Sequence, residues 1–214
     1  MTGEHLSLGD FETRYRGDPD PWSYTTSDYE RAKYDATLAA CGEGPFMRAL
    51  ELGSSIGVFS ERLAPRCRSL VTIDAAPTAV AAARRRLAAA PAVTVILGAL
   101  PEAIPAGPFD LVVASEILYY LQPGDLEATL AALEASLAGG GRLVAVHWRP
   151  AGPERPFDAA AVHARLLAAG WLTPVGDAHT GDYLLDVLER GPRVRFPSPE
   201  RSPMWAPQPR MSDD

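Results

Sequence analysis

Residues 51–57 read Glu-Leu-Gly-Ser-Ser-Ile-Gly, and Gly53 and Gly57 let such a turn bend sharply and approach a ligand with no Cβ in the way. Asp74 follows 21 residues after Gly53, the distance at which an acidic side chain can accept from both hydroxyls of a ribose. A dinucleotide turn would carry three glycines as GxGxxG, and this chain has neither the middle glycine nor the third at that spacing. Glu51 weakens a nicotinamide reading further. A carboxylate there repels a pyrophosphate but complements the cationic methionine portion and sulfonium of S-adenosylmethionine. Glu51, Gly53, Ser54, Ser55, Gly57, Asp74 and Ala75 are therefore expected to hold that cofactor.

Two further groups extend the site. Gly98, Ala99 and Leu100 are small or apolar, so that an adenine ring could lie there with its edge against backbone amides; a plain loop would read the same way. Ser115 and Glu116 end an apolar run and place a carboxylate at the mouth of the site, suited to a methionine ammonium or to a substrate amine. Tyr119 and Tyr120, just after, read as packing residues.

These residues can meet only if the elements between them form one sheet. Apolar runs at Met47–Leu52, Leu70–Ile73, Val93–Leu97, Phe109–Ala114 and Arg142–His147 predict five strands. They alternate with helices through Phe59 and Leu63, over Pro77–Ala89, and from Pro123, where Leu126, Leu130, Leu133 and Leu137 form one stripe before Gly139, Gly140 and Gly141 stop the helix. Such alternation predicts an α/β, Rossmann-like sheet, mainly parallel, with helices on both faces and a ligand beyond the carboxyl ends of its strands. A helix over 158–169 leads to runs at Trp171–Asp177 and Tyr183–Glu189, joined too tightly for a parallel crossover, so a final antiparallel strand is expected. Ser27 and Glu30 form a capping-box pattern ahead of a helix over Asp28–Cys41, preceded by an extended loop over 17–24. The expected organisation is an N-terminal cap loop and helix at 1–44, a cofactor-binding domain at 45–190, and a disordered tail at 191–214, which carries six prolines in 24 residues.

The balance of residues narrows the partners. With 47% hydrophobic and 22% charged residues, the 214-residue chain suits one globular domain and a short appendage. A net charge of -7 argues against nucleic acid. Cys41 and Cys67 form no CxxC pair, and no His spacing completes a metal site. Residues 1–18 lack an apolar core and no stretch approaches a membrane span, so a cytoplasmic protein, monomer or homodimer, is expected.

The turn ELGSSIG at 51–57, the run FDLVVASEILYYL at 109–121 and the segment DPDPWSYTTSDYERAKYDATL at 18–38 resemble class I methyltransferases, and within them the NodS-like nodulation N-methyltransferases. The similarity covers residues 11 to 190. It implies a class I methyltransferase sheet, S-adenosylmethionine as cofactor, and transfer of a methyl group to an amine of a small molecule such as an amino sugar. It also implies an N-terminal segment folded over the cofactor, with Trp22, Tyr29 and Arg31 closing the pocket and Arg31 meeting the methionine carboxylate. An i,i+4 surface pair between Arg31 and Asp35 is the competing expectation. Ala99 departs from the common class I pattern, where an acid often meets the adenine amine. An amine acceptor must lose its proton before attack, which makes Glu116 and His147 the catalytic candidates; His163, among alanines and leucines, reads as a packing histidine. Metal-free methyl transfer to a hydroxyl or carboxylate, and a noncatalytic cofactor-binding module, remain as alternatives.

Overall fold

The computed structural model describes residues 5–191; the proline-rich segment expected to be disordered lies, from residue 192, outside the described residues. Seven strands form one sheet in the order β3-β2-β1-β4-β5-β7-β6: β1 Ala49–Leu52, β2 Leu70–Asp74, β3 Val93–Leu97, β4 Phe109–Ser115, β5 Leu137–Trp148, β6 Leu172–Asp177 and β7 Tyr183–Arg190. Parallel ladders join β1 to β2 and β4, β2 to β3, and β4 to β5. β7 runs antiparallel to both β5 and β6, so it alone is reversed. The expected mainly parallel sheet with a closing antiparallel strand is the one that forms. The structure adds that β7 lies between β5 and β6.

Because strand side chains alternate between faces, each strand serves two cores. Leu50, Leu52, Val112, Ala114, Leu143 and Ala145 pack under α5 (Pro123–Ser136) and α6 (Ala159–Ala168). Ala49, Leu70, Leu111, Val113, Val144 and Val146 pack under α2 (Asp28–Cys41) and α3 (Val58–Leu63). Helix α4 (Pro77–Arg86) opens with proline at its first turn, where the missing amide costs no hydrogen bond.

Several expectations are corrected. Helix α1 (Leu8–Gly17) was not foreseen; Ser7 and Asp10 close a reciprocal capping box at its start. The loop over 17–24 is not extended, because the Asp20 carboxylate gathers the amides of Tyr24 at 2.8 Å and Thr25 at 2.9 Å into a compact turn. β1 begins two residues late, since the Met47 and Arg48 amides are taken by the Asp110 carboxylate at 2.6 and 2.9 Å. Helix α4 stops at Arg86 rather than Ala89. Helix α5 ends at Ser136: Leu137 pairs with Phe109, and the three glycines lie inside β5. A side chain at Gly141 would come within 2.9 Å of the Ala138 carbonyl, so that stretch of strand requires glycine rather than stopping a helix with it.

Candidate active site

The turn after β1 takes the shape that its glycines foretell. Gly53 and Gly57 sit at φ +73° and +81°, and a Cβ at Gly53 would press within 3.0 Å of Ile117. Ser55 shares that left-handed backbone at φ +51° without being glycine, a strained position held by its surroundings. Its amide donates to Asp74 Oδ2 at 2.7 Å, and its hydroxyl accepts from the Tyr15 hydroxyl at 2.6 Å. Asp74 Oδ1 accepts from the Ala76 amide at 2.9 Å. Burial raises the Asp74 carboxyl, and the amides of Ala76, Ser55 and Ala75 pull it back. The expected ribose acceptor thus also clamps the glycine turn to the end of β2. Ser54 is buried, and its hydroxyl oxygen has no hydrogen-bond partner among the described residues. A buried hydroxyl left open in this way fits a ligand group laid against the turn.

Beyond β3, the Gly98 amide donates to the Asp74 carbonyl at 3.0 Å, and a Cβ there would lie 2.7 Å from that of Ala103, so this edge stays bare. Ala99 caps a short turn by accepting from the Ala103 amide, while Leu100 packs into the core beneath. The Gly98 amide ties this loop to the end of β2, beside Asp74.

Two of the expected residues stand elsewhere than foreseen. Glu51 points to the α3 face of the sheet, sealed against the Ser60 hydroxyl and beside Thr72. Burial raises its carboxyl to about 7, with the two hydroxyls opposing. It braces β1 against α3 from inside and does not face the turn. The Arg31 side chain is 64% exposed and pairs with Asp28, while Asp35 pairs with Arg62. Neither the pocket-closing role nor the Asp35 pair forms, because the helix turns that face to solvent.

Glu116 is where charge gathers. Its amide donates to Val146 at 2.8 Å, which anchors the residue past the end of β4 at φ +56°. Its carboxylate accepts from Lys33 Nζ at 2.8 Å, from the Tyr119 hydroxyl and from the Trp148 amide at 3.1 Å. Lys33 also donates to Glu30 at 3.0 Å, and its side chain is only 3% exposed. Burial works against its ammonium, but Glu116 and Glu30 hold it above its ordinary range. Burial raises Glu30 despite Lys33, and Glu30 Oε2 is buried with no hydrogen-bond partner among the described residues. Two carboxylates about one ammonium leave the cluster an acceptor short of a donor. Arg155 stacks on the Tyr119 ring at 4.4 Å and on Trp148 at 5.3 Å, framing the same corner. Sequence reading missed Lys33 and Glu30, although Glu30, Lys33, Tyr34, Thr37 and Cys41 form a helical stripe whose buried face includes an acid and a base.

The N-terminal segment roofs this edge. Trp22 stacks with Tyr24 and meets Tyr15 and Phe11 edgewise or tilted, and Tyr24 passes the contact to Tyr34 and Phe59. Tyr29 stands at the rim with Lys33 Nζ over its ring at 5.2 Å. Two depressions of the described surface, near 580 and 570 Å³, lie at the other edge, around Gly139 and around Gly107, and are lined by none of these groups.

His147 is wholly buried, on the α6 face of β5. Its Nε2 accepts from the Leu118 amide at 3.2 Å, and its Nδ1 stands 3.0 Å from His163 Nε2. Burial, then His163, Lys33 and Arg155, push its pKa well down. With both ring nitrogens engaged, it cannot take a proton from a substrate, which corrects its expected catalytic role. His163, expected to pack, is buried as foreseen but also bonded through both nitrogens.

Among the described residues, no group of three or more His, Cys, Asp or Glu is placed to hold a metal ion, and no helix is long and apolar enough to cross a membrane. Residues 11–150 match the family described as Nodulation protein S (NodS). Nodulation protein S of Rhizobium tropici is 34% identical over 127 residues, 58% of this chain and 53% of that protein. Nodulation protein S of Sinorhizobium fredii (strain NBRC 101917 / NGR234) is 34% identical over 129 residues, 58% of this chain and 59% of that protein. The chain thus spans somewhat more than half the length of these curated relatives. The crystal structure of the N-methyltransferase NodS from Bradyrhizobium japonicum WM9, in complex with S-adenosyl-L-homocysteine, aligns at TM-score 0.78 and 27% identity, covering 86% of this chain and 99% of that one.

Proposed function

The chain belongs to the nodulation protein S family, and from that premise we propose that it is an S-adenosylmethionine-dependent methyltransferase whose acceptor is an amine of a small molecule, an amino sugar being one candidate. The observation that carries the reading is the juxtaposition, past the ends of β1, β2 and β4, of the open Ser54 hydroxyl, the Asp74 carboxylate and the acid-rich Glu30–Lys33–Glu116 cluster. S-adenosylmethionine, when bound, supplies a methyl group already activated by its sulfonium. The chain's own task is then to position and to exclude water. Gly53, Ser54, Ser55 and Gly57 cradle the cofactor, Asp74 meets its ribose through lone pairs left beyond the two amides, and Gly98, Ala99 and Leu100 border the adenine. Ser115 and Ala75 complete the margin. Trp22, with the aromatic chain from Tyr15 to Tyr34, keeps water out. The Glu116 carboxylate orients an amine N–H and receives its proton, with the open oxygen of Glu30 drawing the cationic acceptor in.

We propose residues 1–44 as the cap, 45–190 as the cofactor-binding domain, and a cytoplasmic monomer or homodimer without nucleic-acid partners; the net charge of -7 supports the last point. Calorimetric titration with S-adenosylhomocysteine tests the cofactor. Micromolar binding is expected, weakened at least about 100-fold, roughly 2.7 kcal/mol, in Asp74→Ala, which frees the charge-assisted bonds to the Ser55 and Ala76 amides. Equal affinity in that variant, or binding of NAD alone, would overturn the assignment.

A further inference from the structure

Behind Glu116 runs a chain of polar contacts that the methyl-transfer reading leaves unused. Leu118, two residues after Glu116, gives its amide to His147 Nε2. His147 Nδ1 meets His163 Nε2 at 3.0 Å, His163 Nδ1 meets Asp186 Oδ2 at 2.6 Å, and Asp186 Oδ1 meets His179 Nε2 at 2.8 Å. Strand alternation explains the convergence. His147 shares the α6-facing side of β5 with Leu143 and Ala145, Asp186 shares that side of β7 with Leu188, and His163 faces them from α6. Only His179, on the β6–β7 hairpin, reaches solvent, with 41% of its side chain exposed.

The donors leave one arrangement. An amide can only donate, so His147 Nε2 must carry a lone pair and its single proton sits on Nδ1. That proton points at His163 Nε2, which must then be bare, so His163 carries its proton on Nδ1 and gives it to Asp186. Reversing either ring would set two donors face to face in a buried site, which costs the desolvation of both groups. Asp186, held below the ordinary carboxyl range by hydrogen bonds from His163 and His179 that outweigh its burial, is a fixed acceptor at the end of the line.

We infer that His163 and Asp186 are positioning residues: they set the tautomer of His147, which in turn holds the Leu118 amide and fixes the strained turn that presents Glu116. The role in presenting an acceptor rests on the proposed function, but the tautomers do not, so the two can fail separately.

Nitrogen-15 NMR of the histidine rings tests the order directly in the full chain. His147 and His163 are both expected as Nδ1–H tautomers in the unaltered protein; an Nε2–H ring at His147 overturns the inference without any variant. Asp186→Leu, which removes the terminal acceptor but keeps the volume apolar, is expected to mix the tautomers and to speed exchange of the Leu118 amide at least about tenfold, the measure of one buried hydrogen bond. Asp186→Asn retains a carbonyl acceptor and is expected to restore both readouts. A folded Asp186→Leu protein with unchanged tautomers and unchanged Leu118 exchange, or Asp186→Asn behaving like Asp186→Leu, would also overturn it. S-adenosylhomocysteine affinity is measured on the same samples: its absence in the unaltered protein counts against the methyltransferase reading and leaves the tautomer result standing.

Discussion

Glu51 and Glu116 stand on or just past neighbouring strands, β1 and β4, and each belongs to a segment that turns sharply at the sheet's carboxyl edge. Their surroundings divide them. Glu51 lies one residue inside the end of β1, where alternation sends it to the α3 face, and among the described residues the hydroxyls of Ser60 and Thr72 reach it. Glu116 lies one residue past the end of β4, where the left-handed turn frees its side chain from the sheet and Lys33 of α2 arrives as counter-ion. Three positions along the β1–β4 register separate an acid that braces the interior from an acid that stands beside Lys33 at the sheet's carboxyl edge. A carboxylate in a buried setting is held by whatever cation or donor the neighbouring helix presents.

The contrast breaks most visibly at Lys33. Replacing it with Met leaves Glu30 and Glu116 facing each other with no cation, and loss of one partner of a buried pair costs about 3–5 kcal/mol. Urea unfolding of Lys33→Met should show a destabilisation of that order, and a change below about 1 kcal/mol would mean that the ammonium does not hold the two acids together.

Glu51 should respond to pH and not to a missing cation. Its carboxyl stands at about 7 in the folded chain against an ordinary value of 4.5. The folded state therefore holds a proton that the unfolded state releases, so this residue's contribution to stability is full below pH 4.5, falls as pH rises through 7, and is flat beyond. Glu51→Gln removes that slope. Its free energy of unfolding by urea should gain on the unaltered protein across this interval by up to about 3 kcal/mol, and parallel profiles would show that Glu51 is not the sealed acid described.

Arg31 supplies the small end of the scale. Exposed and paired with Asp28 within the first turn of α2, it should tolerate Ala within about 0.5 kcal/mol in urea unfolding, with S-adenosylhomocysteine affinity unchanged. A tenfold loss of that affinity would return Arg31 to the site and show that its exposed position is not the one used with ligand bound.

Much of the frame was legible in advance. The five parallel strands followed from apolar runs between helical stripes, and the reversed β7 followed from the short connection after Asp177. The turn at 51–57 declared itself through two glycines, and both take the left-handed backbone. Local pattern failed where a distant group competed for the same backbone: the Asp110 carboxylate shortened β1, and the close pass of β5 by the Phe109 carbonyl used Gly141 as strand. The Ser7–Asp10 capping box of α1 was written in the sequence but has Asp where Glu or Gln is the commoner partner.

By itself, the sequence determined the alternation of elements, the carboxyl edge of the sheet, and the presence there of Asp74 and Glu116, because each follows from periodicity or from spacing along a few tens of residues. Only the tertiary structure decided that Glu51 is sealed, that Arg31 faces water, that Lys33 reaches Glu116 across 83 positions of chain, and that His147 is locked between Leu118 and His163. Those outcomes depend on which helix covers which face and on the direction in which each side chain leaves its strand. Pairings between residues far apart in the chain are set by packing, which local pattern does not encode.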